Sequence, residues 1–269
     1  MNQLPHGTPS ADKVWIVFST SSYWKIALNW FRFIRPNEFE VVHYVYGPAY
    51  YISCWLFSSP KLVSVRRPTP SILWRNRLEK VLHHLELGQE VTLCDLDAMP
   101  LKDLSKSIAE SPGDIVSSQG TVFPSSAHKA WGYVLCCGFM VFRPTEEAKR
   151  LVRLSLDYKS HKFTDQLAIN SVLLEEKISW SEMTSPYIIE AMGRRISCST
   201  REIVGTMGQG SLKGLTVTLL PHSDFRRLPN EVEQEAPAMF HPLPARPGAK
   251  NVEQNLKNRG LWVKSWRPN

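Results

Sequence analysis

The sequence lacks an apolar run approaching the roughly 20 residues that a membrane-spanning helix needs, which excludes a helical span of the ordinary kind. Met1 to Lys13 is polar and lacks the hydrophobic stretch of a secretory signal, so the expected compartment is the cytoplasm. Cysteine is sparse. Five residues at irregular spacing (Cys54, Cys94, Cys136, Cys137, Cys198) form neither a disulfide framework nor a Cys-x-x-Cys zinc site. There is no internal repeat and no long basic run. The arginines cluster only in pairs, at Arg66–Arg67, Arg194–Arg195 and Arg226–Arg227, as on a solvated basic surface.

What is present is a chain of 269 residues, 43% hydrophobic and 21% charged, enough for one large domain with its own core. The net charge of +7 favours anionic partners without choosing among them. Val14-Trp15-Ile16-Val17-Phe18 is continuously apolar, the pattern of a strand covered on both faces. A polar turn, Ser19 to Ser22, and a helix from Tyr23 to Phe33 follow. Phe39–Val45 and Leu62–Val65 are further strands, giving the opening of an α/β domain. Thr69 as cap and Pro70 at the first helical position start a helix that Gly88 ends.

Val91-Thr92-Leu93-Cys94 is the next buried strand, and Asp95-Leu96-Asp97 sits at its carboxyl end. Ligands of open α/β sheets bind in that position. Two carboxylates beside a core are costly without a cation or a partner, and hard divalent ions take carboxylate oxygens while leaving positions for phosphate. Ile115–Val116 and Cys137–Phe142 read as strands, and Thr145 and Thr164 as caps of two helices, the second over Asp165–Leu174. Beyond Leu220 prolines break the chain into loops, but Phe225, Met239, Phe240, Leu261, Trp262 and Trp266 mark a tail that packs. The expected division is a polar extension (1–13), a core (14–220) and a proline-rich tail (221–269).

Four segments in order carry a resemblance. They are Val91 to Leu104 with its Asp-x-Asp, Cys137-Gly138-Phe139-Met140-Val141-Phe142-Arg143-Pro144-Thr145, Thr164-Asp165-Gln166 through Asn170, and His241 with Gly248-Ala249-Lys250. Together they resemble GT-A glycosyltransferases of the nucleotide-diphospho-sugar transferase family and are similar to glycogenin-like retaining enzymes. Pro242-Leu243-Pro244 departs from the tighter His-x-x-Gly spacing of the latter.

The resemblance implies a single α/β domain with a central, mostly parallel, mixed sheet between helices. It implies transfer of a hexose or related sugar from a nucleoside diphosphate, UDP ahead of GDP, to a glycan, protein or small-molecule hydroxyl, with retention of anomeric configuration. Asp95, Asp97 and His241 would hold Mn²⁺ or Mg²⁺. Asp165 and Gln166 would lie near the anomeric carbon as the catalytic candidates. Ser19, Thr20, Tyr23, Arg75, Asp95, Gly138 and Lys250 would bind the nucleotide sugar, with Arg77 an alternative to Arg75. Nucleic acid is not an expected partner. Two other classes fit parts of the pattern. A haloacid-dehalogenase-type phosphatase also uses Asp-x-Asp, but on the first strand and followed by Gly-Thr. A basic nucleic-acid-binding module fits the charge and the nine tryptophans.

Overall fold

Along β1 (Ser10–Thr20), Val14 and Ile16 enter one hydrophobic core and Trp15 and Val17 enter another, so the strand is buried on both faces. The computed structural model describes residues 10–33, 39–46, 61–65, 70–182, 187–191, 193–228, 236–243 and 248–262. The chain continues with α1 (Trp24–Phe33), β2 (Phe39–Tyr46), β3 (Lys61–Val65), α2 (Pro70–Glu86), β4 (Glu90–Cys94), β5 (Met99–Pro100), α3 (Ser105–Glu110) and β6 (Ile115–Gln119). Next come α4 (Ser125–Trp131), β7 (Leu135–Phe142), α5 (Glu146–Asp157), α6 (Asp165–Glu175), β8 (Ser179–Trp180), β9 (Tyr187–Ala191) and β10 (Arg194–Cys198). The last elements are β11 (Ile203–Thr206), β12 (Thr216–Leu219), β13 (Phe225–Arg226), β14 (Met239–Phe240) and α7 (Ala249–Asn258).

Nine strands form one sheet in the order β3-β2-β1-β4-β7-β6-β12-β11-β8. Only β7 and β11 run against the others, so the sheet is mixed and mostly parallel, as the sequence indicates. Helices α2, α5 and α6 bury Leu78, Val81, Leu151, Ala168 and Ile169 on one face. On the other, α1, α3 and α7 bury Ile26, Trp30, Ile108, Val252 and Leu256. The strand order reverses at β1, whose neighbours are β2 on one side and β4 on the other. The carboxyl ends of β1 and β4 therefore flank the crevice where such sheets bind ligands.

Local chemistry sets the helix ends. The hydroxyl of Thr145 accepts from the Ala148 amide at 3.2 Å, and that of Thr164 from the Leu167 amide at 3.0 Å, so both expected caps form. Gly88, at φ +80°, follows α2 in the left-handed conformation that ends helices. The expected Thr69 cap lies outside the described residues. Two expectations change. β1 starts at Ser10, inside the stretch expected to precede the core. The expected turn from Ser19 to Ser22 is partly strand, with a single 3₁₀ turn over Ser21–Tyr23. The antiparallel pair β9–β10 goes beyond the expected strands; Tyr187, Ile189 and Ala191 alternate along β9 and pack on Ile196, Cys198 and Leu228.

Candidate active site

Strand register brings the acids, a glycine and a histidine to one point. β7 lies antiparallel beside β4 with Cys94 opposite Phe139, and the Asp95 amide donates to the Gly138 carbonyl at 2.8 Å. Just past Asp97, β5 pairs with β14, Phe240 opposite Met99, which delivers the next residue, His241, to the acids. His241 Nε2 lies 3.3 Å from Asp97 Oδ1 and 3.7 Å from Asp95 Oδ2. One ligand atom from each of the three residues falls within 4.8 Å of the others. Gly138 makes this possible. A Cβ built there would come within 2.0 Å of His241 Cε1 and 2.9 Å of Asp95 Oδ2. The close neighbours of this strand backbone are thus the imidazole and the acid. Two carboxylates and an imidazole are the oxygen and nitrogen donors that Mn²⁺ or Mg²⁺ accepts, so the residues fit a divalent ion.

Electrostatics tie the three together. Burial works against ionisation of Asp97, but the adjacent His241 and Arg227 outweigh it and hold the carboxyl below its usual range. Burial and Arg227 push His241 toward neutrality, and Asp97 more than offsets them, raising its pKa to about 9. Arg227 lies beside His241 because β13 pairs with β14, Arg226 opposite Phe240. Its Nη1 donates to Cys136 Sγ at 2.6 Å and lies 2.7 Å from His241 Nδ1. Burial would raise the Cys136 thiol, but Arg227 and then His241 dominate and lower it to about 7.

The arginine that reaches the acids is Arg77, not Arg75. Arg77 is 5% exposed. Its Nη1 meets Asp95 Oδ1 at 2.6 Å, its Nε lies 2.9 Å from Asp165 Oδ2, and its Nη2 donates to the Cys137 carbonyl at 3.0 Å. Arg75 is two residues earlier on α2 and so points elsewhere. It donates to the Leu156 carbonyl and stacks on Phe163, 4.7 Å from the ring centre, between α2 and the α5–α6 region. Its assignment to the nucleotide sugar is corrected accordingly.

The two catalytic candidates are also placed differently from expectation. Asp165 is 3% exposed and turned inward onto Arg77; burial, partly offset by Arg77, leaves its pKa raised to about 6. Gln166 spends its side-chain amide on backbone, accepting from the Cys137 amide at 3.3 Å and donating to the Phe123 carbonyl at 2.5 Å. Asn170 clamps Leu135 from both sides, at 2.9 and 3.0 Å. Helix α6 is therefore fastened to β7 next to Gly138.

At the end of β1, the Ser19 hydroxyl is buried against His43 Nε2 at 2.7 Å, so its side chain does not face the crevice as expected. Thr20 closes the turn through Ser22 at 3.0 Å. Tyr23 does approach the cluster: burial, then Asp97 and Asp95, push its phenol up to about 12, so it stays a neutral donor. Lys250 is exposed in the first turn of α7. Cys136 and Arg227 were missed as site residues. The Arg226–Arg227 pair read as surface charge, and only the β13–β14 pairing brings Arg227 inward.

A crevice at the switch point of a mostly parallel sheet, with paired acids at a strand end, defines an α/β protein that binds its ligand at the carboxyl ends of its strands. A sequence family described as nucleotide-diphospho-sugar transferase matches residues 63–242, about two thirds of the chain. The protein belongs to that family. No individual curated protein matches it. No helix among the described residues is long and apolar enough to cross a membrane.

Proposed function

We propose that this protein is a divalent-metal-dependent glycosyltransferase. It moves a hexose or related sugar from a nucleoside diphosphate, UDP ahead of GDP, to a hydroxyl acceptor, with retention of anomeric configuration. The observation that carries this reading is the convergence of Asp95, Asp97 and His241 beside the side-chain-free Gly138. Those three residues would hold Mn²⁺ or Mg²⁺. When bound, the ion supplies Lewis-acid stabilisation to the leaving diphosphate.

The chain's own residues supply the rest. Arg77 fixes the Asp95 carboxylate, and Asp165 holds Arg77 from behind, which makes Asp165 a positioning residue. Gln166 and Asn170 hold β7 in register, so that Gly138 stays under His241. The neutral Tyr23 phenol can donate to a donor oxygen. Lys250 would meet a phosphate, and the segment from residue 221 onward completes the site by delivering His241. Retention rests on the similarity to retaining relatives in the order of the Asp-x-Asp, Gly138 and Asp165-Gln166 segments.

The test is nucleotide release from UDP-glucose, UDP-galactose, UDP-N-acetylglucosamine and GDP-mannose, with Mn²⁺ and with EDTA. Release from at least one donor in Mn²⁺, abolished by EDTA, supports the reading; release that EDTA leaves untouched contradicts the metal assignment. NMR of the product linkage against the donor anomer decides retention.

A further inference from the structure

Arg227 carries a charge with no counter-charge in contact. The residue is half-buried, and its Nε is buried without a hydrogen-bond partner among the described residues. Its Nη1 rests on a thiol and an imidazole, 2.6 Å from Cys136 Sγ and 2.7 Å from His241 Nδ1. Among the described residues no carboxylate forms an ion pair with it. We propose that Arg227 binds the distal, sugar-bearing phosphate of the nucleoside diphosphate and thereby selects a diphosphate over a monophosphate. The inference rests on the transferase reading above and names the residue with which its donor site reads phosphate.

Three observations carry it. The first is chemical. A guanidinium offers five N–H donors in a fixed fork, and carboxylate or phosphate oxygens match that fork. A thiol is a weak acceptor, and an imidazole brings no negative charge. A cation withdrawn from water beside such partners is costly until an anion completes the site. Asp97 feels Arg227 through space, but its Oδ1 already lies 3.3 Å from His241 Nε2.

The second is rigidity. The pairing of β13 with β14 holds the backbone just before Arg227, and the Arg227 amide donates to His222 Nε2 at 3.2 Å. His222 Nδ1 in turn meets the Tyr187 hydroxyl at 2.5 Å, and Leu228 packs on Ile196 and Cys198 of β10. The arginine is thus fixed from both sides along the chain, and donors held in place before binding lose little freedom on binding.

The third is position. Arg227 Nη1 lies 3.5 Å from His241 Nε2, the same nitrogen that meets Asp97. A phosphate brought to the acids and His241 therefore comes within reach of the guanidinium. The sheet order also says which phosphate. Tyr23, at the end of β1, marks one side of the acids, β4 carries them, and Cys136 on β7 lies on the other side. Arg227 sits over Cys136, away from β1, so a donor whose nucleoside lies toward β1 turns its distal phosphate to Arg227.

The experiment is calorimetric titration of the full chain with Mn²⁺ alone, then with UDP and with UMP in saturating Mn²⁺. The wild type binds UDP at least tenfold more tightly than UMP. Arg227→Met loses at least tenfold in UDP affinity and less than twofold in UMP affinity. The same variant binds Mn²⁺ alone at least as tightly as the wild type, because the charge that attracts phosphate repels a cation beside His241. A merely structural role would weaken all three together. Arg227→Lys keeps the charge without the fork and falls between wild type and Arg227→Met. If Arg227→Met does not fold, Arg227→Lys decides: UDP affinity falls at least threefold and UMP affinity less than twofold. Cys136→Ala keeps the preference for UDP, which separates phosphate binding from a role confined to the thiol. Equal wild-type affinity for UDP and UMP, equal losses of the two in the Arg227 variants, weaker Mn²⁺ binding in Arg227→Met, or loss of the UDP preference in Cys136→Ala overturns the assignment. Failure of the transferase reading shows separately, as absence of nucleotide release from every sugar donor by the wild-type protein.

Discussion

Gly138 lies so close beneath His241 that a methyl group on its Cα would sit 2.0 Å from the imidazole Cε1. The φ of Gly138 is not positive, so the constraint is steric contact rather than backbone strain. Gly138→Ala must push the ring or the Asp95 carboxylate aside. Overpacking of this kind costs about 1–3 kcal/mol. The expected outcome is a folded protein that has lost more nucleotide binding in Mn²⁺ than stability, read by calorimetric titration with UDP beside a melting curve. Wild-type UDP affinity in Gly138→Ala would show that the imidazole is not needed where the structure puts it.

Arg77 and Arg75 share a helix but not a function. Removing Arg77 leaves Asp95 and Asp165 facing each other without their cation, and breaking a buried ion pair typically costs about 3–5 kcal/mol. Arg77→Met is expected to lower the melting temperature by roughly 6–15 °C for a chain of this size. Adding Asp165→Asn should recover a substantial part of that loss, because the unpaired buried charge is gone. Arg75→Ala is expected to cost about 1 kcal/mol through its lost contacts to Phe163 and Leu156, and to leave UDP affinity within twofold. Thermal melts and UDP titrations of the four proteins check both statements.

The contrast between these arginines shows what sequence could and could not reveal. The Asp-x-Asp was legible because a continuous apolar run precedes it, and a strand end is where an α/β sheet places ligands. Both threonine caps were legible because capping is a local rule. Choosing between Arg75 and Arg77 needed the rotation of α2 against β4, which no spacing in the sequence fixes. Asp165 was placed near the anomeric carbon by resemblance, and only the tertiary position of Arg77 shows it turned inward. His241 was found through resemblance alone; its delivery depends on two-residue strands, β14 and β5, too short to leave a periodic pattern. Arg227 and Cys136 had no local signal at all.

His43 gives the fold an acid-sensitive element away from the acids. It is fully buried on β2, bonded to Ser19 and 5.4 Å from the Phe31 ring centre, and burial lowers its pKa from 6.5 to about 3. A folded-state pKa below the unfolded one contributes stability that is present above about pH 6.5 and lost as pH falls toward 3, by at most about 1.4 kcal/mol per pH unit. Asp165, raised to about 6, acts in the opposite sense as pH falls from about 6 to 3.8. Comparing wild type with His43→Gln cancels the Asp165 contribution. The wild type is expected to lose up to about 3 kcal/mol more than His43→Gln between pH 6.5 and 4 in urea unfolding. Parallel profiles would mean the buried imidazole does not set the acid limit.

Lys250 is exposed, so its removal should matter to turnover and not to folding. Lys250→Ala is expected to keep the wild-type melting temperature within 1–2 °C, since surface substitutions usually change stability by less than about 0.5 kcal/mol. Nucleotide release from the active donor should fall at least tenfold. Unchanged release would remove Lys250 from the phosphate-binding role.

If Asp95, Asp97 and His241 hold a divalent ion for a nucleoside diphosphate, metal and nucleotide must stabilise the protein together. A ligand at about 100 times its dissociation constant adds roughly 2.7 kcal/mol. For a chain of this size that is a melting shift of about 5–10 °C. Thermal denaturation of wild type and Asp97→Asn is run with UDP, with Mn²⁺, with both, and with UDP in EDTA. The full shift should appear only in wild type with UDP and Mn²⁺ present together; the same shift in EDTA, or in Asp97→Asn, would contradict the metal site.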